Sequence, residues 1–471
     1  MNKLTTNTFA STDRVQTPSK KRIRWWLIFS IFAIPFFVIG SVIFVFRVGW
    51  TIREFEGRNA MASELQKLIV DGFATSNERI SIEYFERTSN QATLDWTKVF
   101  EECHSLPFAA STSGVPTLDR KVEIDDFLDD FETSSDWAFA EVCIRFAREQ
   151  KNLIDQVRHL SFAPTPTYFP IDFQSFETLL PEVQSLRTVA CMLRIDAQVA
   201  MHQNDTERAF QDILTLFALS KPTDAVPFTV SRLVGISIRR MALRALQKAI
   251  EQDLLTEPQL LELDRIVENH CDIGDRWRVT MSDEMASSLP VFANPNMSMR
   301  TNKRIPARGH DAVYFIGIMR RAIEIPTDDW QILYNSSGEL ESEILKDSKS
   351  ITKQVDLILT GILAPAFQSL ATALINESQL HRQARIAIAI RMYSREHNKP
   401  PIDLSQLPEQ VRTLKQFGNL PFGYTVVNQK AVLWGFELSK EVQQTPLVQP
   451  DVDSPNAQSL RNRERIWRFY L

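Results

Sequence analysis

From Trp25 to Phe46 the chain reads WWLIFSIFAIPFFVIGSVIFVF, 22 residues without a charge. A helix rises 1.5 Å per residue, so this run reaches ~33 Å and matches the ~30 Å hydrocarbon thickness of a bilayer. It predicts a transmembrane helix. Pro35 and Gly40 are tolerated inside such spans, and Trp25, Trp26 and Trp50 stand where aromatic belts form. A cleaved signal peptide would have a shorter apolar region and a small-residue cleavage site.

Beyond the span the apolar positions fall into a helical period. Ile52 to Val70 continues it through Phe55, Met61, Leu65 and Leu68, so the span is expected to run on into a stalk. Further helices are predicted over Gln91 to Cys103, Trp137 to Val157, Asp172 to Met201 and Val230 to Leu255. Thr256-Glu257-Pro258-Gln259 carries a capping box and opens another. Asp311 to Ile325 follows. After a break at Asn335 to Gly338, helix resumes from Leu340 to about His397, interrupted near Gly361 and Pro365.

The punctuation between these stretches is proline-rich. Phe162 to Pro170 holds three prolines and predicts a boundary loop; Leu289 to Gly309, with three prolines and Arg300, Lys303, Arg304 and Arg308, predicts a long exposed loop. Small residues Ala197 and Ala209 flank Asn204-Asp205, which suggests a tetratricopeptide-like helical hairpin ended by Pro222. Near the C-terminus the period shortens. Two apolar runs, TVV and AVLWGFEL, around Asn428-Gln429 predict a β-hairpin.

The fold class expected is therefore mainly α: an N-terminal transmembrane helix, a multi-helix antiparallel body with helical hairpins, and a small C-terminal β-hairpin. Residues 1–24 would form a disordered basic tail, 25–46 the span, 47–161 a stalk and first helical region, and 162–376 the main body. Residues 377–440 would add a helix and the hairpin. A proline-rich linker and a basic-aromatic tail, 441–471, would complete the chain, the tail LRNRERIWRFYL docking on the body.

Charge adds an address. Residues 1–24 hold six cations and one acid; subtracting that +5 from the chain's −5 leaves −10 for the rest. An acidic body argues against nucleic acid as a partner, since that affinity comes largely from neutralised phosphates. Arg14, Lys20, Lys21, Arg22 and Arg24 precede the span, and Arg47, Arg53 and Arg58 follow it. The excess before the span predicts a cytoplasmic N-terminus and an exported body. In that compartment Cys103, Cys143, Cys191 and Cys271 would form up to two disulfides, although their wide separation favours separate buried thiols.

Recognisable chemistry is scarce. No H-E-x-x-H, G-x-S-x-G or Gly-rich phosphate loop occurs. His270-Cys271-Asp272 places three metal-ligand types side by side, but consecutive helical side chains point apart. Glu123 to Glu132, EIDDFLDDFE, predicts a helix with a solvated acidic face and lacks the central glycine of a calcium loop. No catalytic, cofactor or metal residue is assigned, and no cofactor is expected.

The order of span, helical body, RMYSREHNKPP and LPFGYTV resembles that of single-pass bacterial envelope proteins with a helical exported body. Over Gln379 to Leu438 it is also similar to the tail of pseudopilins, with Pro401, Leu404, Gly423 and Tyr424 in the matching order. The resemblance implies an envelope address. The expected function is a membrane-anchored protein, held in lipid by Trp25 to Phe46, that binds another protein or supports the envelope. Two alternatives stand beside it: an anchored hydrolase whose site is assembled from residues distant in sequence, and a pseudopilin-like assembly component.

Overall fold

The apolar stretch that begins at Trp25 and the helical period after it run on without a break to Val70. Lys20–Val70 is one 51-residue helix, α1, in the computed structural model. The structure describes residues 20–106, 117–119, 122–123, 137, 139–171, 173, 180–293, 308–349, 357–364, 366–427, 430–435, 438 and 466–469. The N-terminal tail to residue 19, most of the acidic stretch 123–132, residues 294–307 of the long loop and the linker 441–458 lie outside them.

The described residues are mainly helical with a small antiparallel sheet. After α1 come α2 (Asn77–Glu86), α3 (Thr93–His104), α4 (Ala140–Glu149), α5 (Lys151–Ser161), α6 (Pro181–His202), α7 (Thr206–Ala225) and α8 (Thr229–Glu251). Then follow α9 (Glu257–Glu268), α10 (Arg276–Ala293), α11 (Arg308–Ile323), α12 (Trp330–Lys349), α13 (Ile358–Leu363), α14 (Phe367–His397) and α15 (Glu409–Arg412). Thr117–Asp119 and Val122–Glu123 pair as β1 and β2. Strands β3 (Gly423–Val427), β4 (Lys430–Trp434) and β5 (Ile466–Phe469) form an antiparallel sheet in that order.

Two large hydrophobic cores fill the described body, with a small third cluster at Ala74, Ile80 and Ala286. One packs α3 to α9 with the C-terminal half of α14 and the sheet, around Trp96, Leu193, Ile213, Leu246, Ile390 and Trp467. The other packs the end of α1 with α10 to α13 and the first half of α14, around Trp277, Phe315, Leu333 and Phe367. The 31-residue α14 belongs to both. Among the described residues the stretch long and apolar enough to cross a bilayer is Ile358–His397, close to half of whose most apolar window is buried. Its buried Glu377, Arg385 and Arg391 mark α14 as a core helix.

Several expectations are corrected. The helix over Trp137 to Val157 is two, parted at Gln150, whose φ and ψ of −93° and 8° leave the helical ladder without any proline or glycine. Pro222 lies inside α7 rather than ending it, late enough to interrupt only the final turn. Asn335 to Gly338 does not break α12, because Tyr334, Ser337, Leu340 and Ile344 form its continuous buried seam. Leu289 to Ala293 belongs to α10, and Arg308 and Gly309 to α11, which trims the long loop at both ends. Glu123 is in a strand, not a helix. All four cysteines are buried free thiols, the arrangement their wide separation favours. The capping box at Thr256 and Gln259 and the hairpin β3–β4 are present as expected.

Where α1 leaves the body it lies on α11, with Gly57 against Gly309 and His310, and Asp71 ion-paired to Arg320 one end further on. The two helices therefore run parallel. A Cβ on Gly309 would meet the Gly57 backbone, and only glycine permits this approach. Gly309→Ala is expected to pry α1 from α11 and to cost about 2–3 kcal/mol, as overpacking does. Limited proteolysis should then cut between residues 57 and 75, whereas Gly317→Ala, facing open space, should leave the pattern unchanged.

Candidate functional site

Charged residues that the apolar period hides gather where the two cores meet. Arg87, just past α2, lies 3.3 Å from Asp283 of α10, and Asp283 is 3.4 Å from Arg232 of α8. Arg232 approaches Asp224 of α7 at 3.8 Å, and Asp224 holds Arg239 of α8 at 2.6 Å. Arg239 Nε then donates to Glu377 Oε1 of α14 at 2.5 Å, and Arg276 of α10 donates to Glu377 Oε2 at 2.5 Å. Seven alternating charges thus thread four helices and the end of α2. Gly235 makes the centre feasible: a Cβ there would stand 2.5 Å from Thr223 Oγ1, so α7 and α8 approach closely enough for Asp224 to reach Arg239 one turn on.

Glu377 and Arg239 have almost no exposure. Burial alone would raise the Glu377 carboxyl, but Arg239 and Arg276 carry it well below the ordinary carboxylate range. Held ionised by two guanidinium groups, it is a weak base and a firm anchor. Neighbouring Asp283 and Glu284 are shifted upward by burial, the former against the pull of Arg87 and Arg232.

One turn beyond Glu377, His381 is fully buried and its Nδ1 donates to the Glu377 carbonyl at 2.9 Å. That bond leaves Nε2 as a bare acceptor with no partner. His270 packs beside it with ring centroids 5.1 Å apart, its own Nδ1 also unpartnered. Burial, with Arg239 nearby, pushes His270 down to about 3; burial does the same to His381, also to about 3. Both rings are neutral at pH 7 and too acidic as imidazolium to shuttle protons there.

A second cluster lies across α5, α6 and α7. Asp196 and Asp212, both buried, are bridged by Arg158, which donates to Asp212 Oδ1 at 2.9 and 2.7 Å and to Asp196 Oδ2 at 2.5 Å. Arg208 pairs with Asp196 from the other side. Burial and the neighbouring Asp196 hold the Asp212 carboxyl well above its usual range. Such a folded-state shift removes stability as pH rises above about 3.8. Asp212→Asn reproduces the protonated form and is expected to add about 1 kcal/mol at pH 8, while Asp212→Ala should lose about 2–3 kcal/mol by leaving a cavity and taking away one of Arg158's buried acceptors. Urea unfolding of both variants checks this pair of signs.

His270, Cys271 and Asp272 do diverge: the imidazole turns to His381, Cys271 Sγ donates to Val267 O at 3.6 Å, and Asp272 pairs with Arg382. The remaining histidines do not converge. His104 meets Ser185, His202 meets Trp137, His310 meets Gly57, and His397 stacks on Tyr393. Among the described residues no group of three or more His, Cys, Asp or Glu could hold a metal ion. A recess bordered by Trp96, Leu160, Pro166, Leu219 and Pro222 has room for about one water, far below the hundreds of Å³ of a ligand pocket.

What this arrangement does chemically is clamp. The charged chain crosses the seam between the cores, and its members hold one another rather than facing a cleft. No family model matches the chain, and no curated protein or solved structure matches it either.

Proposed function

We propose that this chain is a single-pass, membrane-anchored scaffold whose helical body presents a protein-binding surface, with the N-terminus cytoplasmic and the body exported. The observation that carries the anchor is α1. Phe37, Val38, Ile39, Phe44, Val45 and Phe46 are more than half exposed around its circumference, whereas Gly57, Met61 and Leu68 further along are buried in the body. A helix apolar on all sides over one length and one-sided over the next suits lipid first and a protein core second. The unbroken backbone makes the anchor a strut, so the orientation of the body follows that of the span.

The scaffold reading draws on the candidate site, where charges running from exposed Arg87 after α2 to fully buried Glu377 of α14 are consumed in mutual pairing with α7, α8 and α10. Hydrolase chemistry would need a cleft, and among the described residues the unpartnered ring nitrogens of His270 and His381 are buried rather than facing one. Carbonate extraction of membranes from cells making the full chain tests the anchor: the protein should stay in the pellet, and Val42→Arg with Phe44→Arg should release it. Retention of that double variant, or release of the parent, rejects the reading.

The inverted topology, with a cytoplasmic body, is favoured by one observation: four buried thiols and no disulfide, as reducing compartments produce. Glu396→Cys separates the two. Its side chain is 79% exposed, and an impermeant maleimide should label it in intact cells if the body is exported, because the native thiols are buried. Labelling only after lysis establishes the inverted arrangement.

A further inference from the structure

We infer that the edge of β4, with the faces of α8 and α14 beside it, is a strand-acceptor site that takes the C-terminal tail of a second copy of this chain as well as its own. Antiparallel pairing joins Ala431 to Phe469, Val432 to Arg468, Leu433 to Trp467 and Trp434 to Ile466. Ile466, Trp467 and Phe469 are buried, and the two aromatics, at 1% exposure, lie within the larger core.

The acceptor recognises this strand by backbone as well as by side chain. Gln247 Nε2 donates to the Ile466 carbonyl at 2.7 Å, and the Arg468 amide donates to Glu251 Oε1 at 3.2 Å. Gln247 is itself tied to Glu251 at 3.0 Å, and the Arg391 guanidinium stands 5.6 Å from the Phe469 ring centre. Every one of these acceptor groups lies upstream of residue 435. None depends on how the tail is connected.

The connection is far longer than the geometry needs. Trp434 and Ile466 are paired neighbours, about 5 Å apart, yet 31 residues separate them where a hairpin uses about two to five. Extended, 31 residues reach roughly 100 Å. A tether of that reach lets the same strand enter the same site on another molecule with identical contacts, the condition for strand exchange. Charge assists encounter: residues 460–471 carry four arginines and one glutamate, +3, and removing that and the +5 of residues 1–24 from the chain's −5 leaves −13 for residues 25–459. The inference does not rest on the membrane anchor.

Two arms test it. In the first, the full chain in detergent carries a specific protease site within residues 441–458, is cut there, and is offered a fluorescent peptide of residues 459–471. The peptide should replace the cut tail at one per body, and the Trp467→Ala peptide should bind about 30- to 100-fold more weakly, as loss of a buried aromatic anchor predicts. Refusal of the peptide, or equal binding of the Trp467→Ala form, eliminates the acceptor site. In the second arm a tagged copy ending at Leu438 is mixed with untagged full-length chain. Full-length chain should be retained through the tag, and full-length chain carrying Trp467→Ala should not. Peptide exchange in the first arm without retention in the second restricts the strand to its own molecule and overturns the inference; if the shortened copy does not fold, the cut full chain serves as the tagged acceptor.

Discussion

Glu377→Gln should lower the unfolding free energy by about 3–5 kcal/mol, the cost of breaking a buried ion pair from one side. The size follows from position. Glu377 is fully buried and stands between Arg239 and Arg276, both at 2.5 Å, so neutralising it leaves two guanidinium groups facing each other with one anion, Asp224, on the far side of Arg239. The amide keeps the shape but can accept from only one of them without presenting its own N–H₂ to the other. In an Arg276→Met background the same change should cost less, because the second orphan charge is gone; that coupling identifies the pair rather than the volume as the cause. Urea unfolding followed by tryptophan fluorescence measures all four proteins, with Trp277 fully buried as a reporter. A loss below about 1 kcal/mol would show that the junction between the cores does not depend on this charge.

That junction explains why the prediction is large. Each core is apolar by itself, and α14 is the element common to both, with Leu370 and Leu374 in one and Ala384, Ile388 and Ile390 in the other. Glu377 lies between these groups. The ion chain therefore fixes the register of α14 against α8 and α10 at the point where apolar packing changes partner. Charged pairs suit that task because they are directional where hydrophobic contact is not.

Little of this was legible in the sequence. Local signals read well: the apolar run entering α1, the Thr256 capping box, the Asn204-Asp205 turn between α6 and α7, and the Asn428-Gln429 hairpin are encoded within a few residues. Long-range pairing was not readable. Glu377 finds Arg239 138 residues away and Arg276 101 away, and nothing near Glu377 in the chain marks it as different from a solvated acid. The tail is expected to dock, but its partner β4 is 31 residues upstream, across a proline-rich linker rather than a short hairpin turn, so the pairing carries no local signature. Helix α2 leaves no mark in the sequence because its ten residues carry only two buried positions, Ile80 and Tyr84, too few to set a period. The break at Gln150 has no local breaker, and arises where α4 and α5 turn their buried faces, Cys143 and Phe146 in one and Leu153 and Val157 in the other, into the same core.

Acid should loosen the body from about pH 6.5 downward, and the two facing histidines are the reason. In the unfolded chain each binds a proton near pH 6.5; in the fold, burial holds both His270 and His381 at about 3. Folded-state values are depressed, so the stability they contribute is complete above pH 6.5 and is lost as pH falls from there toward 3. Each histidine gives up at most about 1.4 kcal/mol per pH unit within that window. Opposing terms exist: Asp212, Asp283 and Glu284 are shifted upward and favour the fold as pH falls through the same range, whereas Glu377, held far below it, stays ionised throughout. A comparison of variant with parent cancels those terms. His381→Gln can still donate to the Glu377 carbonyl but binds no proton, so its unfolding free energy should fall between pH 6.5 and 4.5 by about 2–3 kcal/mol less than the parent's. Equal slopes for the two proteins would mean that His381 is protonated in the fold, and with it that the bare Nε2 has found a partner.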